Sequence, residues 1–192
     1  MGVFERRVPD ASPKPHHRRC IMTIWFTADH HFGHANIIRH CGRPFTDVKE
    51  MDEFLIERWN DVVGAHDEVW HLGDFAYRCG PRRMAEIFGC LRGKALHLVR
   101  GNHDRKHVLA LPWTSVQPYA EIRLQERMIV LFHYPLREWN NSRRGSWSLH
   151  GHTHGKLPRA GASCDVGVDA WDLRPAACEE IATRIAGGNE VP

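Results

Sequence analysis

Apolar positions along this chain fall into short runs of strand length, separated by stretches with helical spacing. Met22 to Thr27, Glu68 to Leu72, Ala95 to Val99, Tyr119 to Leu124, Met128 to Phe132, Trp147 to Leu149 and Cys164 to Val168 read as strands. Gln125-Glu126 joins two of them as an antiparallel hairpin. Between the runs, Ala35 to His40 reads as a short helix. A longer helix follows, with Asp47 and Glu50 as a capping box and Val48, Met51, Leu55, Trp59 and Val62 on one face. Pro81 suits the first turn of a helix reaching Phe88, and a closing helix over Ala176 to Ala186 stops at Gly187-Gly188. Strands alternating with helices predict an α/β domain, in which ligands bind at the carboxyl ends of the strands.

Those ends carry the chain's reactive side chains. Asp29 and His31 follow the first strand, Gly73-Asp74 the second, and Gly101-Asn102-His103-Asp104 the third; His133 ends the hairpin, and Gly151-His152-Thr153-His154 follows the next strand. Carboxylates, imidazoles and an amide oxygen are ligands for a cation, and a His beside an Asp is held in one tautomer by it. Each piece alone is a common turn; all five in this order are a strong signal. The other histidines have plainer readings: His71 and His150 as hydrogen-bonded core, His30 turned away from His31. His34 is read as entering the cleft. Arg39 and Arg43 are read either as lining its mouth or as a solvated helix end. The basic and aromatic loop 137–145, with Trp139, Arg143 and Arg144, is read either as a nucleotide-reading loop beside the site or as plain surface.

Composition narrows the class. The chain has 192 residues, with 42% hydrophobic and 26% charged, which suits one globular domain. No apolar run approaches the ~18–20 residues that span a bilayer, so no membrane partner is expected. Six scattered cysteines without a CxxC pair predict reduced thiols in a cytoplasmic protein. The net charge of +3 comes from residues 1–21, which hold five of the 26 basic and two of the 23 acidic residues; the rest is balanced at 21 of each. A dedicated nucleic-acid binder is therefore not favoured. Residues 1–21 lack the apolar core of a secretory signal and read as a disordered extension.

Taken together, the five motif blocks resemble the calcineurin-like metallophosphoesterases, over residues 22 to about 169. The resemblance implies a domain over residues 22–188: a four-layer α/β sandwich of two mixed β-sheets flanked by helices. It further implies two divalent ions drawn from Mn, Fe, Zn or Co, with Mn the first choice. Asp29, His31 and His154 would hold one ion, Asn102, His133 and His152 the other, and Asp74 would bridge them. The donor set fits such borderline ions. Hydrolysis of a phosphate ester by attack of a metal-bridging hydroxide would follow, with His103 as general acid and Asp104 orienting it. A partial match to the Gly-Asp-x-Val-Asp-Arg-Gly run of protein phosphatases marks Arg78, with His34, as substrate-binding, although Tyr77 replaces the second Asp. A small phosphodiester or nucleotide-like substrate is the favoured reading. A phosphomonoesterase or nuclease with the same centre is the alternative, and a non-catalytic binding module would be expected to lack ligands that this chain retains. A metallo-β-lactamase-type hydrolase needs His-x-His-x-Asp-His, which residues 30–34 do not supply.

Overall fold

Two sheets meet face to face, and their strand order puts the suspected ligands along one edge. The structure is a computed structural model describing residues 22–158 and 160–187; the expected N-terminal extension, residues 1–21, lies outside them. The first sheet contains β1 (Ile24–Thr27), β2 (Glu68–His71), β3 (Ala95–Val99), β4 (Ser115–Gln117) and β9 (Ala176–Ala177), in the order β4-β3-β2-β1-β9. All neighbours are parallel except β9, which pairs antiparallel to β1. The second contains β5 (Ala120–Leu124), β6 (Arg127–Leu131), β7 (Trp147–His150) and β8 (Ser163–Asp165), in chain order. There β5 and β6 form the expected hairpin, while β6, β7 and β8 run parallel.

The near-continuous apolar runs of β1 to β3 follow from burial on both faces. Val69, Leu96 and Leu98 face the helix side, in one core with Met51, Leu55 and Trp59 of α2 (Val48–Val62), Ile37 of α1 (Ala35–Cys41), Ile87 of α3 (Pro81–Cys90) and Val108 of α4 (Lys106–Leu109). Phe26, Trp70, Leu72 and Val99 face inward, against Ile129, Leu131, Trp147 and Leu149 of the second sheet and Ile181 of α5 (Cys178–Ala186). Over the second sheet's outer surface runs the β6–β7 crossover, where Asn140 donates to Glu121 and Asn141 to Met128 Sδ.

Several ends differ from expectation. In the capping box, Asp47 accepts from the N–H groups of Lys49 and Glu50, but the Glu50 carboxylate reaches the Thr46 N–H at 2.9 Å. The predicted closing helix begins with β9, because Ala176 and Ala177 pair with β1 before Glu180 caps the Ala177 N–H. The strand expected over 164–168 ends at Asp165, and a 3-10 turn takes Val168–Ala170. α4 and β4, of four and three residues, escape sequence periodicity altogether. Among the described residues, no helix is long and apolar enough to cross a membrane.

Arg43 is placed where neither sequence reading had it. Gly42 ends α1 in the left-handed conformation, and the reversed chain turns Arg43 inward to 5% exposure. Its guanidinium bonds both carboxylate oxygens of Asp169, at 2.8 and 2.9 Å, and the carbonyls of Asp29 and His30, at 2.7 and 2.9 Å. The cation is fully engaged, and it pins the loop after β1 to the 3-10 turn after β8. Arg43→Ala is predicted to cost roughly 3–5 kcal/mol in denaturant unfolding, because the Asp169 carboxylate loses its guanidinium and keeps only His154, and the Asp29 and His30 carbonyls lose their donor. Removing both charges as Arg43→Met with Asp169→Leu should cost less. A single variant as stable as the parent would dismiss this account.

Candidate metal centre

Parallel pairing places the ends of β1, β2 and β3 side by side, so Asp29, His31, Asp74, Asn102 and His103 emerge together. The ends of β6 and β7 deliver His133, His152 and His154 from the opposite sheet. The junction is stitched directly: Ala28 bridges Gly167, and Asp29 Oδ2 accepts the His152 N–H at 2.8 Å. Side-chain donors converge into overlapping groups whose atoms lie within 4.8 Å of one another: Asp29, His31 and His154; Asp74, His133 and His152; and His31, Asp74 and His103. Asn102 joins the second through Oδ1, 3.1 Å from His133 Nε2.

This convergence requires unusual backbone. Asp29, His31, Asp74, His152 and His154 all have positive φ, between 50° and 68°. Left-handed backbone is uncommon outside glycine and clusters where function imposes strain. Glycine is also required where the loops after β2 and β3 touch: a Cβ on Gly73 would lie 2.5 Å from the Gly101 nitrogen.

Hydrogen bonds to the far side of two rings leave their other nitrogens facing the cluster. His133 Nδ1 meets the Leu72 carbonyl at 2.7 Å, turning Nε2 toward Asn102 and Asp74. His154 Nδ1 meets Asp169 Oδ2 at 2.7 Å. Such outer partners fix the tautomer of a metal-binding imidazole. Asp29 Oδ1 and both nitrogens of His31 are buried without a hydrogen-bond partner among the described residues. Orphaned polar atoms at this depth are expensive, and a cation would satisfy Asp29 Oδ1 and one nitrogen of His31. The residues therefore fit a metal.

Electrostatics divide the donors of the metal-free cluster. Burial pushes the Asp29 carboxyl up to about 8, against the opposing charges of His154 and His133. Burial also lowers His31 to about 2 and His34 to about 4, keeping both rings neutral, the form that ligates. For Asp74, burial is outweighed by the hydrogen bond and charge of His133, which hold it below the ordinary carboxylate range. Burial opposes charge on His154 too, but the Asp169 hydrogen bond prevails and raises it to about 10. At neutral pH the metal-free cluster thus sets the Asp74 carboxylate beside a protonated Asp29 and a charged His154, each of which gives up a proton when it ligates a cation.

His30 and His71 behave as expected of core: both are fully buried, with His30 Nδ1 and His71 Nε2 3.0 Å apart. His150 is likewise buried, its Nδ1 meeting the Gly151 carbonyl. His34 does enter the cleft, its ring 5.3 Å from His31 and 4.6 Å from Tyr77. Arg78 stands at the rim, its guanidinium 5.3 Å from the Tyr77 ring.

Two expectations are corrected, and one open reading is decided. Asp104 does not orient His103: its two carboxylate oxygens accept the N–H groups of Gly101, Asp74 and Phe75 at 2.8 to 2.9 Å. Arg43 lies behind the site, as described above. Loop 137–145 does not deliver Arg143, Arg144 and Trp139 to the site, because a crossover between parallel strands must return to their starting ends. Arg127, at the start of β6, donates to the Gly145 carbonyl at 3.1 Å. Arg144 lines a cavity of about 480 Å³ with Arg123, Arg127 and the hairpin turn, and Trp139 Nε1 donates to the Ser146 carbonyl. Residues that the sequence did not mark also enter. Asp169 holds His154, while Asp165 accepts from the Thr153 hydroxyl and, at 2.9 Å, from the Gly155 N–H. Tyr77 packs on His103, and Tyr134 on His152. Only Tyr77 carried a signal, as the departure from the phosphatase run.

Comparison with known proteins follows the same line. The chain is 31% identical over 176 residues to an uncharacterized protein of Methanocaldococcus jannaschii, an alignment covering 88% of this chain and 94% of that one. It is 31% identical over 191 residues to the gene 66 protein of Mycobacterium phage D29, covering 81% and 92%. A solved structure of a protein of unknown function from Aquifex aeolicus shares the fold at a TM-score of 0.69 and 24% identity, covering 85% of this chain and all of that one. The model of the calcineurin-like phosphoesterase superfamily domain matches residues 22–161. A metal-fitting cluster at the strand ends, on this fold and within that match, makes the chain a member of the calcineurin-like phosphoesterase superfamily and a hydrolase of phosphate esters.

Proposed function

We propose that this protein hydrolyses a small phosphodiester at a centre of two divalent ions. Asp29, His31 and His154 would hold one ion and Asn102, His133 and His152 the other, with Asp74 between the two groups. The observation that carries this reading is that Asp74, itself grouped with His133 and His152, also reaches the group of Asp29, His31 and His154: its Oδ2 lies 3.5 Å from His133 Nε2 and 3.7 Å from His31 Nε2. When bound, the metals supply Lewis acidity toward the phosphoryl group and lower the pKa of the attacking water. The chain's own contribution is orientation and proton control. His103 Nε2, 4.0 Å from Asp74 Oδ2 and partly open to solvent, gives its proton to the departing ester oxygen as the P–O bond breaks. Asp104 is a positioning residue of the backbone, fixing the loops that carry Asp74 and His103. His34 and Arg78 at the rim meet the substrate.

A diester's one negative charge suits the guanidinium of Arg78, which stands beside Tyr77 and within electrostatic reach of His34. The balanced charge of residues 22–192 does not favour a long polyanion. Manganese is the first ion to test. The free thiols of Cys41, Cys79, Cys90 and Cys178 accord with the expected cytoplasmic location.

Asp74→Asn preserves shape but removes the bridging charge. Metal analysis should show most of the bound metal lost and turnover reduced by at least ~10²-fold, with the circular dichroism spectrum unchanged. Two ions per chain retained in this variant would sink the bridge. His103→Asn, by contrast, should keep its metal and lose ~10²–10⁴ in kcat, with a smaller loss for nitrophenyl esters, whose leaving group needs no proton. Equal losses for good and poor leaving groups would leave His103 as a phosphate-positioning group. On chromogenic diesters kcat/KM should change little between low and physiological salt. A steep fall in apparent affinity for long DNA or RNA over the same range, accompanied by cleavage, would point to a nuclease instead.

A further inference from the structure

The acid role of His103 needs an imidazole held at a fixed angle to the cluster, and Asp104, its sequence neighbour, is committed to three backbone N–H groups. The His103 backbone is anchored, its N–H donating to Asp74 Oδ1 at 2.8 Å, but that leaves the side-chain torsions to packing. The ring of Tyr77 stands 4.5 Å away in a T-shaped arrangement, closer than the rings of His31 at 5.3 Å or His34 at 6.4 Å. Tyr77 is itself mounted firmly. Its N–H donates to the Phe32 carbonyl at 3.1 Å, Ala76 bridges Phe32, and its ring packs at 4.6 Å against His34.

We propose that Tyr77 is the positioning residue of His103, holding the imidazole toward the cluster by edge-to-face packing where a hydrogen-bonding carboxylate is absent. The inference rests on the reading of His103 as the proton donor. It assigns Tyr77 no contact with the phosphoryl group and no metal. Aromatic rings prefer this T-shaped geometry because a positive edge meets a negative face. The ring, rather than the hydroxyl, makes the contact, so Phe should serve in its place.

The test compares Tyr77→Phe, Tyr77→Ala and the double variant Tyr77→Ala/His103→Asn with His103→Asn, each loaded with manganese. On a diester with an alkyl leaving group, Tyr77→Ala should lose ~10- to 100-fold in kcat with KM nearly unchanged, as a misplaced catalytic group does. On a nitrophenyl diester the loss should be much smaller. Tyr77→Phe should restore the parent kcat, metal content should stay constant throughout, and the double variant should be no slower than His103→Asn. In the metal-free protein, the His103 ring signals in a nitrogen-correlated NMR spectrum should shift in Tyr77→Ala and not in Tyr77→Phe, while those of His133 stay in place. A Tyr77→Ala enzyme as fast as the parent on the alkyl ester would overturn the proposal, as would equal losses on both esters or a Phe variant as slow as the Ala one. If His103→Asn itself shows no dependence on the leaving group, the acid reading fails first and the role of Tyr77 falls with it. If His103→Asn shows that dependence and Tyr77→Ala does not, the role of Tyr77 alone is refuted.

Discussion

The carboxylate of Asp104 accepts backbone N–H groups from Gly101, Asp74 and Phe75 at 2.8 to 2.9 Å, and this three-point clamp sets the distance between the loops after β2 and β3. Those loops carry Asp74, Asn102 and His103, so the clamp determines whether the donors meet. N–H groups just beyond strand ends have no ladder partner, and burying them unpaired would be costly. One carboxylate with two oxygens answers three of them at once. Asp29 and Asp165 act similarly on the opposite sheet, taking the N–H groups of His152, Gly155 and Gly167. The centre is built by acidic side chains spent on backbone as much as by those left for a cation.

The same arrangement explains why strained backbone is tolerated. Each left-handed residue near the cluster costs free energy, and such conformations persist only where the surroundings over-determine them. Here two cores supply that support. Phe32 and Phe75, beside His31 and Asp74, are fully buried on the helix side; Ala28 and Val168, flanking Asp29 and Gly167, are equally buried at the sheet junction. Packing therefore holds the ligand-bearing loops in place from below, while the donors face a cleft from above.

Much of this was legible in the chain. Period and burial coincide in β1 to β3, so strands, edges and ligand blocks could be read together, and every expected ligand lies in the cluster. The errors have physical causes. Adjacency suggested that Asp104 serves His103, but consecutive residues on an irregular turn point apart, and the stronger demand came from unpaired N–H groups. Arg43 looked like a helix-end cation because nothing local shows that Gly42 reverses the chain toward a buried Asp169. The sequence allows two readings of loop 137–145 and cannot choose plain surface, because the parallel pairing of β6 with β7 is a tertiary fact. β9 has two residues and exists only through its partner β1, so no periodicity could show it.

Charge then decides what such a cleft selects. On the proposed assignment, two divalent ions bring about four positive charges against the two carboxylates of Asp29 and Asp74, leaving a local surplus of about two. His31, kept neutral by burial, adds nothing to it. Screening at physiological salt confines the influence of exposed charge to about 8 Å, so this surplus is felt by a phosphoryl group inside the cleft and scarcely by charges further out. Residues 22–192 carry equal numbers of acidic and basic side chains and offer no general basic excess along which a longer anion gains. Extending a substrate beyond its reacting phosphate therefore adds little electrostatic attraction. On the same assignment, discrimination among small esters would pass to the rim, where His34 and Arg78 stand on one side and Tyr134, packed 4.7 Å from His152, on the other.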